Sequence, residues 1–364
     1  MIHWESNCKL KDVDFGWSFT PFEREAKIQI DVAKASSDNR ISVGDIRVEK
    51  LSRRNFLYTV ELKDLLQDHL CVYQVRLSPN QRPFAGSFPV IPDNTHQVAP
   101  QVSPVVNPLE VAYVGDSQGS YYWFDKICRI ILRKHPHLFI HNGNYARQSS
   151  DKYEWQTRVF DPISSFSPST PMLLNKGTGE NSDKYLNLLR GHASYFATSL
   201  GAARWIVLDS NDETDAQVKW LESELSSKAT QKSPFRIALV HVPPFMEYDP
   251  KYDSVFAKTR LVPLLEKYRV DLVLSGHQRN YQRGFKNGVN YVISGGAGGP
   301  IHTKRACDNF MFKQTIFKHH YLMLRITREA LIVRVFSTSD VLLDTLHIPR
   351  SFARKMRPSE MLPQ

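Results

Sequence analysis

The sequence predicts a chain in two parts, a small all-β sandwich followed by an α/β domain. Two observations predict this fold class. Residues 27–78 consist of short runs with the period of two that is typical of strands, and from Val111 onward apolar runs alternate with amphipathic stretches. At 364 residues the chain is long enough for two domains, one of them with a substantial core.

The first domain is assigned to residues 1–100, linker included. Its strand-like runs are KIQIDV, NFLYTVEL and LCVYQVRL, and none of them has a helical period. Residues 84–110 are rich in proline, serine and asparagine, which predicts a linker. The α/β domain then covers residues 101–349, and residues 350–364 form a basic tail.

The α/β domain is predicted from apolar runs that end in polar loops. These runs are VAYVG, HLFIHNG, PMLLN, RWIVLDS, FRIALVH, VDLVLSG and NYVISGG. The amphipathic stretches SYYWFDKICRIILRKH, DAQVKWLESELSSK and TRLVPLLEKYRV lie between several of them. In an open α/β sheet, ligands bind at the carboxyl ends of the strands, so we expect the functional residues in these loops.

The amino-acid composition limits which binding partners and which cellular compartment are expected. The chain carries 47 basic and 37 acidic side chains, a net charge of +10, so RNA stays open as a partner beside a protein or assembly partner. No run of about 18 apolar residues occurs, and a membrane partner is not expected. The four cysteines are scattered without a CxxC pair. We therefore expect an intracellular, reducing compartment, either the cytoplasm or, if a leader was removed, an organelle matrix.

Five strand ends carry polar motifs in a fixed order. They are Gly115-Asp116-Ser117-Gln118-Gly119, Gly143-Asn144-Tyr145, Gly177-Thr178-Gly179-Glu180, His241-Val242-Pro243-Pro244 and Gly276-His277-Gln278-Arg279. Their order and spacing resemble the calcineurin-like metallophosphoesterases, specifically the purple-acid-phosphatase-like branch, over roughly residues 110–300. The resemblance implies a metallophosphoesterase β-sandwich flanked by helices in βαβ units, and a fibronectin-III-like module before it.

The resemblance also implies site roles, position by position. Enzymes of this family hold two metal ions that clamp a phosphoryl group, with one carboxylate bridging both ions. Asp116 stands at the first-metal carboxylate, and His241 and His277 stand at second-metal ligands. The family ligands or catalytic residues are replaced at four positions: Asn144 at the bridging Asp, Thr178 at an Asn, Gly179 at the His that assists the leaving group, and Arg279 at the final His.

Charge argues against a two-metal site at these positions. The matching side chains carry −1 from Asp116 and +1 from Arg279, a sum of zero where the family has two carboxylates. A guanidinium about 4 Å from a dication is repelled by roughly 8 kcal/mol at an effective dielectric constant near 20. We therefore expect Arg279 to take the place of the first metal and to pair with Asp116.

The function predicted from these residues is that of a degenerate metallophosphoesterase, a pseudo-phosphatase that serves as a structural, assembly or interaction subunit. We expect no phosphoric-ester hydrolase activity, no confident catalytic residue and no cofactor. Two alternatives remain open. One is a residual enzyme with a single divalent ion, Zn, Mn or Fe, held at low occupancy by Asp116, His241 and His277. The other is a module that binds phosphate or RNA through Arg279, His241 and His277 without hydrolysis.

Overall fold

The structure is a computed structural model that describes the strands between Ile2 and Pro89, residues 90–92, and residues 108–147, 150–180, 194–247, 254–303 and 311–350. The predicted basic tail lies outside these residues, except for Arg350. The predicted linker lies partly outside them.

The first eight strands form two four-stranded antiparallel sheets, with the orders β2-β1-β6-β5 and β4-β3-β7-β8. Their bounds are β1 Ile2–Cys8, β2 Asp12–Asp14, β3 Gln29–Lys34, β4 Ser37–Arg40, β5 Ser42–Lys50, β6 Phe56–Lys63, β7 Leu70–Arg76 and β8 Phe84–Pro89. The fibronectin-III-like assignment stays a prediction. The linker predicted from residue 84 is wrong at its start, because β8 pairs in register with β7.

Thirteen further strands build two mixed sheets of six and seven strands, with the orders β11-β10-β9-β19-β20-β21 and β12-β13-β14-β15-β17-β16-β18. Their bounds are β9 Leu109–Val114, β10 Leu138–Asn142, β11 Met172–Asn175, β12 Phe196–Leu200, β13 Ala203–Leu208, β14 Phe235–Val240, β15 Leu272–Ser275, β16 Tyr281–Lys286, β17 Val289–Ser294, β18 Phe312–Ile316, β19 His320–Ile326, β20 Ala330–Ser337 and β21 Leu342–Pro349.

Helices cover the outer faces of these two sheets. They are α1 Tyr121–Lys134, α2 Lys152–Trp155 continued by a π-helical turn Gln156–Phe160 and by α3 Asp161–Ile163, α4 Asp215–Ser226, α5 Lys228–Lys232, and a π-helical turn Ala257–Leu261 that leads into α6 Val262–Lys267. Among the described residues, no helix combines the length and the apolar character that a membrane crossing requires.

The core lies in three layers, which explains why the apolar runs fold as they do. Between the sheets, side chains from β9, β13, β14, β15 and β19 pack against each other, with Trp205 and Tyr113 among the largest. Phe124, Ile127 and Ile131 of α1 pack on the outside of the six-stranded sheet. Leu221, Leu225 and Leu265 of α4 and α6 pack on the other sheet. Burying each such side chain contributes about 1.5–3 kcal/mol.

The parallel strands place the motif loops together. β9, β10 and β11 run parallel, as do β13, β14 and β15, so each group ends at a single edge of its sheet. The backbone then turns sharply at Asp116 (φ 58°), Asn144 (φ 57°) and His277 (φ 62°). Such left-handed conformations are uncommon outside glycine, and here they direct three site residues away from their strands.

Candidate functional site

Asp116 is the buried carboxylate of the site, with no solvent exposure. Its Oδ1 accepts a hydrogen bond from Asn144 Nδ2 at 2.8 Å, and its Oδ2 accepts one from the His277 backbone N–H at 2.7 Å. Burial raises the pKa of the Asp116 carboxyl to about 6, although the Asn144 hydrogen bond acts in the opposite direction. Both carboxylate oxygens are therefore already bound within the protein.

The Asn144 side chain links three loops. Its Nδ2 donates to Asp116, while its Oδ1 accepts from the Gly179 N–H at 3.0 Å and lies 3.4 Å from Thr178 Oγ1. Only one orientation of the amide fits, because one side offers a carboxylate and the other a backbone donor. The loops that follow β9, β10 and β11 are thus tied together by the residue that is predicted to replace the family's bridging carboxylate.

Glu180 stabilises the loops that follow β10 and β11. It is fully buried, and its carboxylate accepts hydrogen bonds from the backbone N–H groups of Asn144 at 2.8 Å, Tyr145 at 2.9 Å and Gly177 at 2.9 Å. Hydrogen bonds to a charged acceptor are the strong class, so Glu180 organises two loops at once. Sequence reasoning assigned it no role. The feature of the sequence that could have indicated this role is a charged residue at the end of a glycine-rich strand-end motif.

His241 directly follows β14 in the chain, and its side chain is fully buried. Its Nδ1 lies 2.6 Å from the Asn142 carbonyl oxygen, and because a carbonyl only accepts, Nδ1 carries the hydrogen. Nε2 is then left with a lone pair, and this buried atom has no partner among the described residues. Burial lowers the pKa of His241 to about 4, so the ring is neutral at pH 7.

His277 completes a pair of imidazoles. Its ring centre is 5.6 Å from that of His241, with the ring planes 81° apart. Its Nδ1 is also buried and has no hydrogen-bond partner within the part of the chain that the structure describes. Burial, and then the neighbouring His241, lower the pKa of His277 to about 4. Two neutral rings therefore present free ring nitrogens close to Asp116.

Arg279 does not form the ion pair predicted with Asp116: no such contact within 4.0 Å occurs between these two described residues. The oxygens of Asp116 are taken by Asn144 and by the His277 amide instead. The Arg279 side chain lies along the glycine-rich loop, where a Cβ on Gly299 would stand 2.5 Å from Arg279 Cδ. Its Nε is buried without a hydrogen-bond partner among the described residues.

The glycine-rich loop of residues 294–300 is a tight turn whose backbone donors are used internally. The N–H groups of Gly295, Ala297 and Gly299 donate to the carbonyl oxygens of Asn280, Gly115 and Asp116 at 3.3, 3.1 and 3.0 Å. These donors are not free to cradle an anion. The loop braces the Asp116 turn.

The structure thus brings together most of the residues singled out from the sequence. Asp116, Asn144, Thr178, Gly179, His241 and His277 converge, and Arg279 borders them beyond Gly299. A Cβ on Gly276 would lie 2.7 Å from Asp116 Oδ2 and 3.1 Å from His241 Nδ1, so both side chains flank this glycine. Within the described ranges, no three His, Cys, Asp or Glu side chains are grouped so as to hold a metal ion.

Comparison with known proteins agrees with this geometry. The calcineurin-like phosphoesterase family model matches residues 109–281, from β9 to the start of β16. The probable purple acid phosphatase 20 of Arabidopsis thaliana is 25% identical over 215 residues, which cover 53% of this chain and 50% of that protein. Residues 109–281 of the chain therefore form a domain of the calcineurin-like phosphoesterase superfamily.

Within the superfamily it falls in the purple-acid-phosphatase-like branch. The Fe(3+)-Zn(2+) purple acid phosphatase 12 of Arabidopsis thaliana is 33% identical over 92 residues, covering 25% of this chain and 20% of that protein. This calcineurin-like phosphoesterase therefore spans half or less of the length of these curated relatives. The name of that relative specifies Fe(3+) and Zn(2+).

Solved structures show the same fold. The purple acid phosphatase PPD1 of yellow lupin superposes with a TM-score of 0.74 at 14% identity, covering 97% of this chain and 74% of that one. GAP50, the anchor in the inner membrane complex of Plasmodium, superposes with a TM-score of 0.58 at 16% identity, covering 67% of this chain and 89% of that one. At these identities the likeness concerns the fold alone.

Proposed function

We propose that this calcineurin-like phosphoesterase is a pseudo-phosphatase, whose fold serves as a structural, assembly or interaction subunit. One observation carries the proposal. At the bridging position of a two-metal centre, Asn144 presents an N–H donor toward Asp116 and an oxygen toward the Gly179 N–H. An amide used on both sides offers no shared negative charge to two dications.

The remaining donors also fit a two-metal centre poorly. Asp116 is surrounded by hydrogen-bond donors that belong to the chain. Glu180 is also a buried carboxylate, and it accepts from three backbone N–H groups. Binding two ions would require these hydrogen bonds to break and at least one more anionic ligand to enter. We therefore derive no hydrolytic step through metal ions for this chain.

A non-enzymatic role has support in the fold itself. GAP50, which shares the fold, is described as an anchor in a membrane-associated complex of Plasmodium. We infer for the present chain only that this architecture is compatible with an anchoring or assembly role.

The deciding experiment is elemental analysis of the purified protein, produced with Fe, Mn and Zn in the medium. We expect well under one equivalent of each metal, and hydrolysis of an aryl phosphate at background level. Two tightly bound ions per chain would overturn the proposal. The Asn144→Ala variant is the matched comparison, because it removes the amide that occupies the bridging position without supplying a carboxylate.

A second candidate is a mononuclear site, favoured by the two free imidazole nitrogens, His241 Nε2 and His277 Nδ1. Neutral imidazoles are good ligands for zinc, which also accepts carboxylate oxygen. Zinc titration followed by calorimetry tests it, with His241→Ala as the variant. Binding of one equivalent in the parent and none in the variant would establish this candidate in place of the metal-free scaffold. Binding of inorganic phosphate that depends on Arg279 would instead favour phosphate recognition without hydrolysis.

A further inference from the structure

Helix α1 carries a stripe of exposed and half-buried residues that the site does not use. Tyr122, Lys126, Arg129 and Arg133 are spaced by four, three and four positions, so they share one helix face. At 1.5 Å per residue the stripe is about 16 Å long. Tyr122, Arg129 and Arg133 are exposed, and Lys126 is half-buried. The stripe thus begins with an aromatic side chain, Tyr122, called its aromatic head here, and continues with three cationic side chains.

The aromatic head is part of an aromatic cluster. The Trp123 ring stacks on His319 with centroids 4.6 Å apart and planes 22° apart. Tyr122, which is 62% exposed, meets Trp123 edge-on at 4.9 Å. Lys126 Nζ lies 5.8 Å from the centre of the Trp123 ring. The exposed Tyr122 ring beside an ammonium group supplies the elements of a stacking platform for nucleobases.

The charges on the helix are unbalanced in favour of cations. Its sequence contains Lys126, Arg129, Arg133 and Lys134 but a single carboxylate, Asp125. Asp125 pairs with Arg129 at 2.7 Å, and Lys134 pairs with Asp340 of a neighbouring turn at 2.9 Å. Lys126 and Arg133 remain as the cations without a salt bridge in the described part of the chain. The net charge of +10 of the whole chain adds a long-range positive potential, which also attracts anions.

We propose that this aromatic-cationic stripe of α1 binds single-stranded nucleic acid, with bases stacked on Tyr122 and phosphates along Lys126, Arg129 and Arg133. The cations attract a polyanion, and the aromatic head adds a contact that a strand with unpaired bases can use. The inference does not depend on the metal site, since none of these residues contacts Asp116 or Asn144.

An anionic membrane surface fits the same charges less well. A helix that lies in a membrane interface buries an apolar face among the lipids. The apolar face of α1, which includes Phe124, Ile127 and Ile131, is already buried against the six-stranded sheet. The exposed head offers a tyrosine with a polar hydroxyl, and no aliphatic side chain accompanies it on the stripe.

The position of the stripe relative to the site is defined by the glycine-rich loop. His319 Nδ1 lies 3.0 Å from the Gly296 carbonyl oxygen, which anchors the aromatic cluster to that loop. On the opposite side, a Cβ on Gly119 would lie 3.3 Å from Gly299, against which Arg279 packs. The loop therefore contacts both the aromatic cluster, through Gly296, and Arg279, through Gly299.

The test is fluorescence anisotropy with a labelled single-stranded oligouridylate of twenty nucleotides, at several salt concentrations. We expect Tyr122→Ala to weaken binding by about fivefold or more, because stacking is lost. The double variant Lys126→Ala/Arg133→Ala should lower the slope of log affinity against log salt by about 0.7 for each phosphate contact removed. The matched controls are Phe285→Ala and Lys219→Ala, which change an exposed aromatic residue and an exposed lysine elsewhere.

Circular dichroism of each variant checks the fold. Equal affinity of the parent and Tyr122→Ala would overturn the proposal, as would equal losses in the control variants. Binding to vesicles that contain phosphatidylserine, without binding to the oligonucleotide, would assign the stripe to a membrane instead and would also overturn it. These results are independent of metal content, so a failure here leaves the pseudo-phosphatase proposal standing.

Discussion

Asn144 Nδ2 donates to Asp116 Oδ1 across 2.8 Å, and this hydrogen bond joins the first two motif loops directly. In a two-metal phosphoesterase, two carboxylates at these positions repel each other unless cations lie between them. With an amide at one position, the repulsion becomes an attraction that requires no ion. The pair therefore connects the local sequence change to the stability of the loop cluster.

Replacing Asn144 with aspartate should destabilise the protein. The substitution places a second carboxylate next to Asp116 and removes the donor to it, at a cost of roughly 2–4 kcal/mol. Urea unfolding followed by tryptophan fluorescence at pH 7.5 measures the change in the free energy of unfolding. Asn287→Asp is the control, since Asn287 is exposed and also has a positive φ. An unchanged stability of Asn144→Asp would contradict the role given to the amide.

Metal binding should be recoverable with four substitutions: Asn144→Asp, Thr178→Asn, Gly179→His and Arg279→His. Together they supply the bridging carboxylate, two neutral ligands or catalytic groups, and a final imidazole in place of a cation. The nearest atom to a Cβ on Gly179 would be Asn144 Oδ1 at 3.3 Å, so the Cβ is accommodated with a small adjustment. Calorimetric titration with Mn or Zn should show binding in the quadruple variant and none in the parent.

The three substitutions without Asn144→Asp form the matched control and should bind weakly or not at all. If the quadruple variant folds but binds no metal, then the loops have moved from family geometry, and the position-by-position correspondence is wrong. Catalytic activity is a stricter criterion than binding, because misplacement by about 1 Å is enough to lower rates strongly.

Stability should fall as the pH falls from 6.5 toward 4. Burial lowers the folded-state pKa values of four histidines, to about 3 for His141 and about 4 for His241, His277 and His320. The unfolded chain takes up protons near pH 6.5, whereas the folded chain does not. Each histidine therefore lowers the free energy of unfolding by on the order of 3 kcal/mol as the pH approaches 4.

Asp116 acts in the opposite direction over part of the same range. Its folded-state pKa is raised to about 6, so the folded state binds a proton that the unfolded state does not bind until near pH 4. One carboxyl opposes four histidines, and the net effect is acid destabilisation. Urea midpoints at pH 7, 6 and 5 measure it, and His320→Asn should reduce the slope. A midpoint that rises on acidification would contradict the expected sign.

Glu180→Gln should loosen the second and third motif loops together. The variant loses the charged acceptor for three backbone N–H groups, and a cost of about 1–3 kcal/mol is expected. Hydrogen exchange should accelerate at the amides of Asn144, Tyr145 and Gly177. The exposed Glu213 provides the control substitution Glu213→Gln. Unchanged exchange at these amides would show that other contacts hold the loops.

Much of the α/β architecture is predictable from the sequence, because several of its central strands are buried on both faces. FRIALVH and VDLVLSG appear as continuous apolar runs, and β14 and β15 lie within them, fully buried. Residues 84–89 differ from the predicted linker, because a segment rich in proline, serine and asparagine can still pair at the edge of a sheet. In the structure Phe84–Pro89 is an edge strand, where one side of the backbone needs no partner.

The candidate site was predictable in its members but not in its contacts. Motif order identified Asp116, Asn144, His241 and His277, which do converge. Charge alone paired Arg279 with Asp116, yet Coulomb attraction has no preferred direction, whereas the Asp116 turn directs its oxygens to an amide nitrogen and a backbone N–H. The role of Glu180 depends on three N–H groups from two loops, and no single-residue pattern encodes that arrangement.

The hydrogen bonds by which Asn144 links the three loops affect how the protein responds to changing metal concentrations in a cell. Where a bound ion holds loops together, their order varies with the free concentration of that ion, and chelators loosen them. The Asn144 amide is covalently part of the chain, so its local concentration never changes. Under the proposed metal-free role, a surface built on these loops should keep its shape through metal starvation as well as metal excess.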